Sequence, residues 1–296
     1  MLTSSISEMQ KKHDYLVCFD SDGCIFDTME VKHKECFIPN IIKFWNLESV
    51  SKYARSIAEY VNLYSVHRGV NRFPGLVLVF DLLDAHPDAV KRGYKAPDIT
   101  SLRKWVEREK KLGNPALRQY VAANPDDEVM SNTFAWSLAV NESVEEIVRF
   151  VPPFPYVKEC FEMLDGKADI IVVSGTPSDA LAREWSLHGL DKYVSVIAGQ
   201  EMGSKKDCIA AAKALGYDED KVVMIGDAPG DKKAAAANKA KFFPINPMHE
   251  DASWERFANE ALQKFLDGGF DKEYQDAVAR EFDKLLPDSP TWSILT

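Results

Sequence analysis

A five-residue apolar run, Tyr15-Leu16-Val17-Cys18-Phe19, ends abruptly in Asp20-Ser21-Asp22-Gly23. A run without polar alternation reads as a strand buried on both faces, and sheets covered on both faces are mostly parallel. Three similar runs come much later in the chain. They are Ile170–Val173 before Ser174-Gly175, Val194–Ala198 before Gly199, and Lys221–Ile225 before Gly226-Asp227. Phe242-Phe243-Pro244-Ile245 reads as a fifth strand, placed at an edge by its proline.

Helical segments separate the strands, at Val157–Leu164, Ser178–His188, Lys206–Leu215 and Asp231–Lys239. Strand and helix in alternation predict right-handed crossovers and a Rossmann-like parallel α/β sheet, with ligands beyond the carboxyl ends of its strands. The sequence predicts a core of residues 1–28 and 152–246 interrupted by a helical insertion, 29–151. That insertion carries helical periodicity (Ile57, Tyr60, Val61, Tyr64; Leu102, Trp105, Val106) and no comparable strand run. Pro152-Pro153-Phe154-Pro155 is read as the return linker. Residues 247–296 carry two amphipathic patterns and read as an α-helical extension packed on the core, with Ser253 as N-cap of the first helix and Gly268-Gly269 as its stop.

The formal net charge of −10 disfavours nucleic acid and anionic lipid as partners. It also means that an anionic substrate has to be met by local cations. The five cysteines are widely spaced, without a Cys-x-x-Cys pair or a zinc-ligand rhythm, so a reduced, cytoplasmic setting is expected. Residues 1–12 lack the apolar run of a signal peptide, and no stretch approaches about 18 consecutive apolar residues, so no membrane partner is expected.

Four constellations carry chemistry. Asp20 and Asp22 leave a buried strand two residues apart, an arrangement that is costly unless a cation or a proton lies between them. Asp-x-Asp-Gly also makes ordinary turns. Asp227 and Asp231 leave another strand, where the plain alternative is a turn residue and a helix cap. Ser174, with Gly175, offers a hydroxyl and free N–H groups at a strand exit; its alternative is capping, for which Thr176 and Ser178 compete. Lys205-Lys206 opens a helix and is, taken alone, a solvated pair.

The order of these four motifs resembles the haloacid dehalogenase (HAD) superfamily in its phosphatase branch, with an inserted helical cap. The resemblance covers the core on both sides of the insertion and has no clear counterpart for the last fifty or so residues. It implies an aspartyl-phosphate on Asp20 as nucleophile, Asp22 as general acid and base, Ser174 as phosphoryl donor and Lys205 as the stabilising cation. Lys205 is preferred over Lys206 because that register leaves Cys208 and Ile209 on the core face. The implied cofactor is Mg2+, held by the Asp20 carboxylate, the Asp22 main-chain carbonyl and Asp227, with Asp231 acting through water or on the lysine. Asp22 points to phosphate esters, since family dehalogenases lack the second carboxylate. Cys24 departs from the Thr or Val usual in relatives.

The implied substrate is a small phosphorylated metabolite. Arg68 and Arg72 in the insertion are candidates to meet a second anionic group, against the alternative of a surface loop or an intramolecular ion pair. Asp27 and Thr28 are candidates at the entrance to the insertion. Two rivals stay open: a phosphomutase with the same motifs, and a non-catalytic binding protein on the same fold. Dinucleotide binding is disfavoured because no Gly-x-Gly-x-x-Gly follows the first strand, and zinc chemistry because the histidines lack ligand spacing.

Overall fold

The computed structural model describes residues 5–290 and 292. Among them the five apolar runs form one parallel sheet: β1 (Tyr15–Phe19), β2 (Ala168–Val173), β3 (Val196–Ala198), β4 (Val222–Gly226) and β5 (Lys241–Pro244), in the order β3-β2-β1-β4-β5. The chain order reverses on either side of β1, which makes its carboxyl end a topological switch point. Phe19 sits opposite Val172 of β2 and Ile225 of β4. Asp20, Ser174 and Asp227 therefore leave three adjacent strands at the same rim. β5 is an edge strand, where Pro244 removes no ladder donor that a neighbour needs.

The chain divides into two compact units. One runs to Thr28 and resumes over Val151–Leu285; the other is Met29–Phe150 with the described residues from Leu286. The sheet unit is held by an aromatic core in which Phe19 stacks on Phe161 at 4.8 Å between ring centroids, with Trp185, Trp254, Phe257 and Phe265 buried around it. Truncating such a ring, as in Phe161→Ala, costs about 3–5 kcal/mol.

The secondary structure of the second unit's described residues is all helical, with turns and irregular loops between the helices. Its main helices include Ser51–Leu63, Arg72–Asp84, Thr100–Arg108 and Glu128–Ile147, around a separate core that contains Ile57, Phe73, Phe80, Trp105 and Trp136. No helix of the described residues is long and apolar enough to cross a membrane.

The extension differs in two ways from its sequence reading. Helices Glu250–Arg256, Leu262–Leu266 and Lys272–Leu285 belong to the sheet unit, whereas the described residues from Leu286 group with the helical unit, where Trp292 packs edge-on against Tyr60. Ser253 is not an N-cap. The helix begins at Glu250, and the Ser253 hydroxyl instead accepts from the Asn246 N–H and donates to the His249 carbonyl.

Candidate active site

Each acidic side chain at the rim is aimed by a local backbone device. Asp20 continues β1, its N–H donating to the Ile225 carbonyl, and its Oδ1 accepts the Ser21 N–H at 2.7 Å. Asp231 lies in the first turn of the helix Pro229–Ala237, and its Oδ2 accepts the Ala228 N–H at 3.0 Å. Gly226 permits this: a Cβ there would lie 2.4 Å from the Asp231 carboxylate, so only glycine lets that side chain return beneath the strand end. Ser204 caps the helix Lys205–Lys213 by accepting the Asp207 N–H, which leaves Lys205 as the first helical residue at the rim.

The outcome is a buried charge cluster. Lys205 Nζ lies 2.6 Å from Asp20 Oδ2 and 2.6 Å from Asp231 Oδ1. Carboxylate oxygens of Asp20, Asp227 and Asp231 fall within 4.8 Å of one another, and all three residues are buried. Burial pushes the Asp20 carboxyl well above its usual range; Lys205 opposes that shift, while Asp231 and Asp227 add to it. Burial alone lowers the Lys205 ammonium, but the Asp20 and Asp231 carboxylates outweigh it and hold the group above its ordinary value. Lys206 is exposed, and its carbonyl receives the Asn238 side chain.

Three buried carboxylates whose oxygens lie within 4.8 Å of one another, with the Lys205 ammonium on two of them, offer an all-oxygen donor set that fits a hard divalent cation such as magnesium. Cys24, beside the cluster, remains a neutral thiol. Burial, then the charges of Asp227 and Asp20, push its pKa far up, and its S–H donates to the Ile225 carbonyl at 3.5 Å.

Asp22 is treated differently. Its carboxylate is no member of the trio: Oδ2 accepts from the Thr176 hydroxyl at 2.6 Å and Oδ1 from the Thr28 hydroxyl. The sequence offers Thr28 only as a candidate at the entrance to the insertion, and Thr176 and Ser178 as competing caps. Neither Thr176 nor Ser178 caps the helix Ser178–Leu187, which begins after Pro177 without a side-chain cap. The pairing of residues 22 and 176 crosses 154 positions, so no local pattern announces it. Ser174 is buried, and its Oγ accepts the Thr176 N–H at 3.2 Å, which leaves its own proton available. Gly175 is exposed, with open space around it.

The remaining candidates are Asp27, Arg68 and Arg72. Asp27 is exposed. Arg68 is buried and donates to the Leu63 carbonyl at 2.9 Å. Arg72 donates to the Ser137 carbonyl and hydroxyl and to Asn141 Oδ1, with its guanidinium 5.0 Å from the Phe37 ring centroid. These partners are neutral, and burial pushes its pKa down to about 10. The alternative reading of Arg72 as half of an ion pair is not what the structure shows.

A family profile described as haloacid dehalogenase-like hydrolase matches residues 16–238. No curated protein sequence matches the chain. Solved structures similar in fold include a HAD-superfamily hydrolase, subfamily IA, variant 1, from Geobacter sulfurreducens (14% identity, TM-score 0.40, covering 79% of this chain and 89% of that one). Another is a hydrolase from Pseudomonas syringae (18%, 0.45, 82% and 89%). A third is a haloacid dehalogenase-like family protein from Streptococcus pneumoniae (11%, 0.43, 81% and 90%).

Proposed function

The chain belongs to the haloacid dehalogenase-like hydrolases, and we propose that it hydrolyses the phosphate monoester of a small metabolite, with magnesium as cofactor and Asp20 as the covalent nucleophile. The observation that carries this reading is the division of labour between two carboxylates two residues apart. Asp20 is bound to Lys205 within the acidic trio, while Asp22 is held outside it by two hydroxyls.

The Asp20 and Asp227 side chains and the Asp22 main-chain carbonyl would hold the ion, with Asp231 acting through water or on Lys205. Bound there, magnesium supplies charge neutralisation and polarisation of a phosphoryl oxygen. The chain's own residues do the rest. An Asp20 oxygen attacks phosphorus, the ester P–O bond breaks, and Asp22 gives its proton to the departing alkoxide. In the second half Asp22 takes a proton from water as that water attacks the aspartyl-phosphate, releasing inorganic phosphate and restoring the Asp20 carboxylate. Lys205 offsets the charge that develops on the transferring group, and Ser174 donates its free hydroxyl proton to a phosphoryl oxygen, with the Gly175 N–H beside it.

We assign the helical unit the role of a substrate-selecting cap. Within it Arg72, whose protein partners are all neutral, is the better candidate to receive a second anionic group of the substrate. All five cysteines are free and buried, in keeping with a reduced, cytoplasmic setting. The test is phosphate release across a panel of phosphorylated metabolites, with magnesium and with chelator. Magnesium-dependent release that is lost in Asp20→Asn is the expected result. Absence of release from every ester, or release that persists in Asp20→Asn, overturns the reading.

A further inference from the structure

The turn that follows Asp20 is closed by its own backbone. The Ser21 carbonyl accepts the N–H groups of Cys24, Ile25 and Phe26 at 3.3, 2.8 and 3.2 Å, and the Gly23 N–H donates to the Phe26 carbonyl at 2.8 Å. Gly23 has φ +75°, a conformation that favours glycine. Asp22 stands at the tip of this turn, so its reach depends on how firmly the turn is fixed to the core.

Two buried indoles do the fixing. Trp185 Nε1 donates to Ser21 Oγ at 3.0 Å, and its ring meets Phe26 edge-on at 5.9 Å. Trp254 Nε1 donates to the Cys24 carbonyl at 2.8 Å. The Trp254 ring also stacks on Phe19 at 6.0 Å and 23°, and meets Phe257 edge-on at 5.7 Å. A single side chain thus touches the strand residue that leads into Asp20 and the turn that leads out of it. Ring packing would be served by phenylalanine. The indole N–H adds a directed bond to a carbonyl in a dry environment, and an indole can only donate. Trp254 lies beyond the matched family segment, which ends at residue 238.

We propose that Trp254 is a positioning residue for Asp22, so that the helical segment after β5 is a working part of the catalytic support. For its kinetic arm this rests on the phosphatase reading. Loss of the N–H loosens the turn without touching the trio or Lys205, so the defect falls on the proton transfers of Asp22, of which donation to the leaving group is the one that distinguishes alkyl from aryl esters. An alkyl phosphate needs that proton, whereas p-nitrophenyl phosphate, with its stable phenolate, largely does not.

The experiment compares Trp254→Phe with the wild-type protein on β-glycerol phosphate and on p-nitrophenyl phosphate, together with amide hydrogen exchange over residues 21–26. The expected loss in kcat is about tenfold on the alkyl ester and about twofold on the aryl ester, at unchanged KM. Amides of the turn should exchange at least about tenfold faster. Phe257→Leu, which thins the same aromatic cluster but breaks no bond to the turn, should lower stability while leaving the ratio of the two esters unchanged. If Trp254→Phe does not fold, benzothienylalanine at position 254 removes the N–H at nearly constant shape. Unchanged kcat on the alkyl ester in a folded variant overturns the proposal. Should the wild-type protein release phosphate from neither ester, the two esters lie outside its substrate range and exchange alone decides: faster exchange in the variant supports the positioning role, unchanged exchange removes it, while the phosphatase reading stands or falls separately on the metabolite panel.

Discussion

Asp169 and Asp20 are both buried carboxylates on the same sheet, one near the amino end of β2 and one at the carboxyl end of β1, and their surroundings are opposite. Asp169 Oδ2 accepts the Lys12 and His13 N–H groups at 2.9 Å each and the Tyr217 hydroxyl at 2.6 Å. Its negative charge is spread into neutral donors, and the contacts tie the segment before β1 and the residue Tyr217 to the sheet. Asp20 shares one ammonium with Asp231, stands beside Asp227, and has its carboxyl pushed up by burial and by those neighbours. A buried carboxylate saturated by neutral donors is a structural clamp. One crowded by its own kind is waiting for a cation or an electrophile.

The largest effects should separate the two. Asp20→Asn is expected to lower turnover by at least about 10³-fold. In chelator the same variant should melt higher than the wild type. A carboxyl raised in the folded state costs stability above its folded pKa, and the amide carries no such cost. Asp169→Asn should do the reverse, leaving kcat within about twofold while costing about 1–3 kcal/mol, because the amide presents an N–H group to donors. Phosphate-release kinetics and thermal melts on the two variants decide the matter. If Asp169→Asn abolished turnover in a folded protein, the distinction between the two ends of the sheet would be lost.

Asp22 sharpens the contrast, since it too has neutral partners yet is assigned a proton-transfer role. The difference lies in the donors. Two of the three donors on Asp169 are backbone N–H groups, which can only donate, whereas the Thr28 and Thr176 partners of Asp22 are both hydroxyls, which can turn and accept. Thr28 Oγ1 has a second acceptor within reach, the Phe26 carbonyl at 3.5 Å. Asp22 can therefore gain a proton and keep both contacts. Thr176→Val, measured on an alkyl phosphate, is expected to lower kcat by about tenfold with KM little changed, and to raise the apparent pKa that governs the acid form, since a donor to the anion is gone. A Thr176→Val enzyme with an unaltered pH–rate profile would mean that the hydroxyl merely fills space.

Much of the rim was legible in the chain because strand ends announce themselves. An apolar run stopping at Asp20, Ser174 or Asp227 fixes the side chain's place before any contact is known, and the buried Cys208 and Ile209 set the helix phase that aims Lys205. The partners that orient those groups were not legible. Thr176 to Asp22, Trp254 to Cys24 and Tyr217 to Asp169 join residues 154, 230 and 48 positions apart, and such pairs leave no periodicity to read. Ser253 shows the same limit at short range. A serine ahead of an apolar stripe looks like a cap, but a start at Glu250 moved it into the helix, where its hydroxyl serves Asn246 and His249.

The smallest expected effect asks whether position or partners decide how a carboxylate behaves. Glu201 sits at the carboxyl end of the sheet strands, just after β3, yet it is bonded in the manner of Asp169: Oε2 accepts the Ser178 N–H and hydroxyl at 3.0 Å each. Burial acts to raise its carboxyl, but the Ser178 donors win and hold it below the usual value. Its contribution to stability is therefore complete above the unfolded pKa and fades as the pH falls through the folded one. The sign is opposite to that of Asp20, whose raised carboxyl gains stability on acidification in chelator. From about pH 6 to about pH 3.5 the wild type should lose slightly more Tm than Glu201→Gln, by about 1–2 °C for so exposed a group. Asp20→Asn should shift the same profile the other way. If Glu201→Gln moved it in the direction of Asp20→Asn, nearness to the site rather than the hydrogen-bond partners would be setting the charge.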